Sequence, residues 1–298
     1  MVNVLARVSE VKIRCRQIAD SDIGAIVGLL NRGFPERRPQ YWVRGLERQA
    51  ARLLPPGYPT YGYLLENDGV PVGVVLLLFA ELEVDGRMMT RCNLSSWYVE
   101  PGFRSHASLL ISFALRHREV TYLNISPARH TWSIVEAQGF KRYSSGQYLA
   151  LPALSPSAPR VQVRQIRPET SPEASASMPE SELLIAHAGY GCLSLVCTAA
   201  DGSYPFVFLP LQRRTGPLRI PGAQLVYCRD IADFIRFAGA LGRFLLKRWA
   251  LFVALDANGP IDGLIGIYRE SRGRKYFKGP DEPRLGDLAF SELVLFGP

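Results

Sequence analysis

Residues 94–109, Leu-Ser-Ser-Trp-Tyr-Val-Glu-Pro-Gly-Phe-Arg-Ser-His-Ala-Ser-Leu, constrain this chain more than any other stretch. An apolar, strand-like run ends at Val99. Pro101 and Gly102 turn the chain, and Arg104 adds a cation. The small residues Ser105, Ala107 and Ser108 then open an apolar helix over residues 109–115, entered at Leu109. The first amides of a helix lack intrahelical partners, and the macrodipole adds partial positive charge there. A strand that feeds a helix in this way is suited to hold an anion such as a pyrophosphate. No acid lies between Gly102 and Arg118 to oppose it.

The surrounding pattern predicts alternating strands and helices. Strands are expected over 11–17, 61–66, 72–82, 89–99, 121–125 and 141–151. Helices are expected from Asp20 or Ser21 to residue 30, over 40–54, and over 127–137. Asn67-Asp68-Gly69 marks a hairpin. The stretch 152–160 reads as a linker from its Pro, Ser and Ala content, and 168–181 as a mobile loop. Beyond it the pattern partly repeats. Strands are expected over 192–199, 204–212, 224–228 and 251–255, a helix over 231–249, and a last hairpin from 275–278 and 288–296.

Two blocks carry a family resemblance. Val99, Pro101 and Arg104 match the pattern V-x-P-x-x-R-x-x-G-x-G/A. About thirty residues on, Leu123-Asn124-Ile125-Ser126, a helical run and Gly139-Phe140 follow. Together they resemble the coenzyme-A-binding core of the GNAT acyl-CoA N-acyltransferase superfamily, over about residues 12–150. Ala107 stands at the pattern's first glycine, Leu109 at its second Gly/Ala position, and Val135 where many members carry a tyrosine. The resemblance implies an α/β (α+β) fold with GNAT-like mixed sheets flanked by helices, in tandem. The expected organisation is a GNAT-like acyl-CoA-binding domain over 1–152, a linker over 153–160, and a degenerate GNAT-like unit over 161–298. It implies acetyl-CoA or another acyl-CoA as co-substrate. That molecule would lie against Val99, Arg104, Ser105, His106, Ala107, Ser108, Leu109 and Asn124. The second strand-to-helix junction, Cys228-Arg229-Asp230-Ile231-Ala232-Asp233, is expected to cap itself with carboxylates and so to repel a pyrophosphate.

Composition bounds the remaining classes. At 298 residues with 47% hydrophobic and 21% charged residues, the chain has room for two globular domains. Its longest apolar run, 70–80, is broken by Pro71 and Gly73 and suits a buried strand better than a membrane span. Residues 1–11 lack the apolar core of a signal peptide, so a cytoplasmic protein is expected. Five scattered cysteines form no C-x-x-C pair and approach no histidine at ligand spacing, which argues against a metal site and a disulfide framework. The net charge of +8 is spread through both halves, without a nucleic-acid-binding motif to support such a partner.

Acyl transfer to an amine needs somewhere for a proton to go. Residues 89–98 contain no acid, so Glu81 and Glu83 at the end of the preceding strand are the candidate bases. Arg44, Arg48 and Arg52 recur at helical spacing and form one stripe, which would suit a small, anionic amine acceptor. Two alternatives to an acyl-CoA-dependent N-acyltransferase stay open. One is a FemAB-like aminoacyl or peptidyl transferase, which also pairs GNAT-like units. The other is a binding or scaffold protein that has kept the fold without catalysis.

Overall fold

A computed structural model describes residues 12–84, 86–156, 160–170 and 178–297. The chain forms two compact units, one of residues 1–79 and 94–118, the other of residues 80–93 and 119–298. The reading of residues 1–11 and the central part of the loop at 168–181 lie outside the described residues.

The first unit opens with β1 (Ile13–Gln17) and a short 3-10 turn, followed by α1 (Ile23–Gly33) and α2 (Pro39–Ala50). Pro39 stands at the first helical position of α2, where its missing N–H costs nothing. β2 (Gly62–Asn67) pairs antiparallel with β1 and with β3 (Val70–Val84). Asp68 and Gly69 both adopt positive φ, 48° and 80°, as a two-residue hairpin turn of the right twist requires. α2 ends four residues earlier than its sequence pattern. Its buried Gln49 ties it down by donating to the carbonyls of Thr60 (2.7 Å) and Leu77 (2.8 Å). β4 (Arg87–Val99) starts in the second unit and ends in the first, as β3 does in reverse. α3 (Ala107–Ala114) completes the first unit.

The second unit contains β5 (Thr121–Asn124), α4 (Trp132–Ala137), β6 (Lys141–Ala150), β7 (Gln162–Ile166), α5 (Ser181–Gly189), β8 (Leu193–Ala199), β9 (Gly202–Thr215), β10 (Leu218–Cys228), α6 (Ile231–Leu246), β11 (Val253–Ala257), β12 (Gly266–Lys278) and α7 (Glu292–Leu295). Its strands are ordered β4-β5-β12-β6-β11-β10-β9-β8-β7. β4 and β5 are parallel, with Arg91 opposite Thr121, and so are β10 and β11, with Ala223 opposite Val253. A helix lies on each of these crossovers, α3 and α6. The final strand of each sequence half is exchanged. β12 lies between β5 and β6, and β6 lies between β12 and β11.

Two apolar clusters cover the two faces of this unit. On one, Phe234, Phe237, Leu241 and Leu245 of α6 pack on Leu225, Val253 and Leu255. On the other, Leu184 of α5 packs with Val207, Val226 and Tyr143, and Leu288 and Val294 close the same layer.

Three sequence expectations are corrected here. The segment 288–296 is no strand. Phe290 takes φ +55°, which breaks extended structure, and its amide donates to Nε2 of the buried His187. α7 follows it instead. The strand expected over 275–278 runs back to Gly266 through pairing with β6; its mostly exposed first part lacks the apolar alternation that would mark it in the sequence. β7 and α5 were absent from the sequence reading altogether. The Pro-rich stretch after β6 also does more than connect. Pro152–Leu154 form a 3-10 turn packed on α6, where Gly242 and Gly239 allow backbone to approach backbone.

A side chain at Gly242 would place its Cβ 2.2 Å from the Ala153 amide nitrogen, a backbone atom that cannot swing aside. Gly242→Ala is therefore expected to destabilise the protein by about 2 kcal/mol, overpacking outweighing the gain in helix propensity. Gly24→Ala, in α1 with open space around it, should be neutral or stabilise by up to ~1 kcal/mol. Thermal melts of the two variants check this through the opposite signs of their shifts.

Candidate functional site

β4 ends at Val99, which is buried, and the Glu100 amide donates to the Val72 carbonyl at 2.8 Å. The Glu100 carboxylate accepts from Arg32 Nε at 2.6 Å and from the Tyr98 hydroxyl at 3.2 Å, so the one acid at the loop's entrance is already neutralised. The chain then enters a 3-10 turn over Pro101–His106 that runs directly into α3. Helical geometry thus starts well before residue 109, where the sequence pattern places it. Pro101 explains the early start, since its fixed φ is already helical.

The early start changes which amides are free. The Phe103 N–H donates to the Glu100 carbonyl at 2.9 Å, and the Ala107 N–H to the Arg104 carbonyl. What the loop offers a ligand is its surface. Arg104, Ser105 and Ser108 are exposed, while His106, Ala107 and Leu109 are half-buried. Ser105 Oγ and His106 Nδ1 lie 3.2 Å apart. The result is one guanidinium and two hydroxyls on a turn without free acid, an arrangement suited to an anion.

Just before this loop, β4 departs from regular strand geometry. Ser96 is held at φ +49°, a left-handed conformation costly for a residue with a Cβ. The neighbouring hydroxyls of Ser95 and Ser96 lie 3.0 Å apart. The indole N–H of Trp97 is buried without a hydrogen-bond partner. Backbone strain and an unsatisfied buried donor thus fall on adjacent residues at this end of β4. The sequence showed neither.

The other expected residues lie on other elements. Asn124, half-buried on β5, belongs to the second unit and pairs with Tyr276 of β12. Glu81 and Glu83 are exposed on β3. The arginine stripe is shorter than expected. α2 stops at Ala50, and Arg52 lies beyond it with Nη2 donating to the Phe79 carbonyl at 2.9 Å. At the second junction, Asp230 caps α6 as expected, its carboxylate accepting from the Ala232 amide at 2.8 Å. Burial, and then the nearby Asp230 charge, push the Asp233 carboxyl up.

The second unit holds carboxylates that the sequence did not single out. Asp287 is buried and accepts from Arg91 Nη2 at 3.0 Å, and the same nitrogen donates to the Ala289 carbonyl. Burial alone would raise the Asp287 pKa, but Arg91 and then Arg284 more than offset it and hold it below its ordinary value. Glu292 donates its amide to Asn93 Oδ1 at 2.7 Å, and its carboxylate accepts from Ser126 Oγ. Asn93 Nδ2 in turn reaches the Leu123 carbonyl. These bonds fasten the C-terminal segment to β4 and β5 within that unit. The unit also has a cleft of about 500 Å³, lined in part by Leu211, Gln212, Pro221, Arg248 and Trp249. Among the described residues no group of His, Cys, Asp and Glu is placed to hold a metal ion. None of the described helices is long and apolar enough to cross a membrane.

No family model and no curated relative matches the sequence. Solved structures do resemble the fold. A GCN5-related N-acetyltransferase from Anabaena variabilis superposes with a TM-score of 0.57 at 12% identity, covering 89% of this chain and 72% of that one. A GCN5-related N-acetyltransferase from Kribbella flavida gives 0.53 at 14%, covering 90% and 71%. Eis1 from Mycobacterium abscessus gives 0.52 at 13%, covering 93% and 74%.

The Arg91–Asp287 pair generates a pH prediction. Asp287→Asn leaves Arg91 buried without its counter-charge and should cost about 3 kcal/mol at neutral pH. A folded-state pKa below the unfolded one contributes stability above the unfolded value, near 3.9, that is lost as pH falls through the folded value. Denaturant titrations at pH 7 and pH 3 should therefore show the gap between wild type and variant shrinking at the lower pH.

Proposed function

We propose that this protein, whose fold is that of the GCN5-related N-acetyltransferases, is an acyl-CoA-dependent N-acyltransferase. The observation that carries the reading is the end of β4. A strained Ser96 and the unsatisfied Trp97 indole lead into a helical turn bearing Arg104, Ser105 and Ser108, at the positions that match the family's coenzyme A motif. Arg104 would pair with a phosphate of the coenzyme, with the two hydroxyls as further donors. Catalysis would come mainly from holding a thioester beside an amine. Glu81 and Glu83 remain the proposed proton acceptors, and a small amine, anionic in view of the arginines on and beside α2, the proposed acceptor. We read the mirrored strand order as two GNAT-like units in tandem that have exchanged their last strands, with the coenzyme held by the first sequence half.

A second reading has one observation in its favour. The Phe103 and Ala107 amides are already bonded within the turn, so fewer backbone donors face a pyrophosphate than an open glycine loop would present. A chain that kept the fold for binding alone would look the same there.

Calorimetric titration of the full-length protein with acetyl-CoA separates the two. The enzyme reading expects saturable binding that Arg104→Ala weakens by about 1 kcal/mol, as one charge-assisted contact among several. Ala107→Gly should leave the affinity unchanged or improve it, since it removes a methyl from the turn. Absence of saturable binding by wild type contradicts the acyl-CoA-dependent reading. A large loss with Ala107→Gly contradicts the loop assignment.

A further inference from the structure

The turn that ends α6 carries a residue that local structure does not favour. The Ala250 amide donates to the Leu245 carbonyl at 3.1 Å, and the Trp249 amide to the Leu246 carbonyl at 2.9 Å. This pair of bonds is a Schellman motif, and it puts Trp249 at the position where glycine is the rule. Trp249 takes φ +63°, a left-handed conformation that its Cβ makes costly. Its side chain is 78% exposed, so burial does not offset that strain. A glycine would serve the turn better and leave less apolar surface in water. A tryptophan held there calls for a contact that the folded chain alone does not make.

Trp249 lines the cleft of about 500 Å³ in this unit, beside Arg248 and Ala250. The sheet supplies the other wall. Pro210 of β9 lies opposite Ala223 of β10, and Gln212 opposite Pro221. Ala223 packs into the cluster under α6, so by strand alternation all four side chains share that side of the sheet. The walls are thus mostly apolar, with Gln212 and Arg248 as their polar side chains. The Arg248 guanidinium lies 3.8 Å from the centre of the Phe244 ring and donates to Gln165 Oε1 at 2.9 Å. Both partners are neutral, so its charge is held in place without being cancelled. The chain segments that build the cleft, 191–200, 202–229 and 234–255, contain no Asp or Glu, and every charged residue in them is Arg or Lys.

We propose that this cleft binds a small aromatic carboxylate, its ring against the Trp249 indole and the Pro210 and Pro221 rings and its carboxylate on Arg248. A flat ring removes from water the apolar surface that Trp249 exposes. The carboxylate takes charge-assisted hydrogen bonds from the guanidinium N–H groups that Gln165 leaves free. Because Phe244 and Gln165 already position that guanidinium, little side-chain freedom is lost on binding. A mostly apolar cleft with one or two placed polar groups is the ordinary form of a small-molecule site. The site lies wholly in the second unit and does not rest on Arg104, its loop or the acyltransferase reading.

The test is calorimetric titration of the full-length protein with naphthoate, the neutral naphthalenemethanol and the aliphatic octanoate in turn. Saturable one-to-one naphthoate binding is expected, with the alcohol and octanoate each weaker by about tenfold, since one lacks the charge and the other the ring. Arg248→Met keeps an apolar chain beside Phe244 and should weaken naphthoate about tenfold while leaving the alcohol unchanged. Trp249→Gly should weaken naphthoate by about tenfold as well. The same variant should melt above wild type, because glycine accepts φ +63° without strain. Binding lost together with a raised melting temperature cannot come from a folding defect. Naphthoate binding that is absent, or that survives both substitutions, would overturn the proposal. So would a Trp249→Gly variant that melts well below wild type, which would make the indole a structural element. Octanoate binding as tightly as naphthoate would overturn the aromatic assignment, and equal loss of acid and alcohol in Arg248→Met the carboxylate.

Discussion

β6 is hydrogen-bonded on both sides by strands from the other end of the sequence. Leu149 pairs with Ala254 of β11 on one side and with Ile267 of β12 on the other. β12 in turn separates β6 from β5, which precedes it by a single helix. Neither sequence half completes its own ladder. Pairing between distant segments is entropically slow to form. Once formed, it makes the loss of any one of these strands expensive, because each leaves two rows of backbone groups unpaired. This exchange also explains the packing of the 152–155 turn on the two glycines of α6. The chain leaves β6 in the middle of a sheet and must cross a helix to reach β7.

The same exchange brings together charges that are far apart in sequence. Arg91 and Asp287 meet across 196 positions, and Asp256 and Lys275 come from strands on either side of β6. Such pairs are poor sources of stability, since desolvation offsets most of their attraction. Their geometric consequence is larger. A buried charge tolerates only the pairing that supplies its partner, so Arg91 fixes where the C-terminal segment lies on β4.

Much of the fold was legible from local chemistry. The Asn67-Asp68-Gly69 turn, the Asp230 cap and the strands bounding the 94–109 motif all lie where pattern and turn residues place them, within a few positions. What escaped was set by distant partners. The segment 288–296 is apolar enough for a strand, yet His187, more than a hundred positions away, takes the Phe290 amide and holds the turn. The first part of β12 is a strand only because β6 and its neighbours receive it, and its exposed arginines hide it from any periodicity test. The candidate site was half legible. Val99, Pro101 and Arg104 announced the strand-to-helix turn. Ser96's left-handed backbone and the helical turn from Pro101 are three-dimensional facts with no sequence signature.

Hydrogen exchange on the full-length protein tests the strand exchange most directly. If β12 lies between β5 and β6, the amides of 266–269 and 276–278 are interior to the sheet. They should then exchange as slowly as those of β6 and β11, and through the same global opening. Amides of β12 that exchange orders of magnitude faster than those of β6, as an edge strand's would, contradict the account.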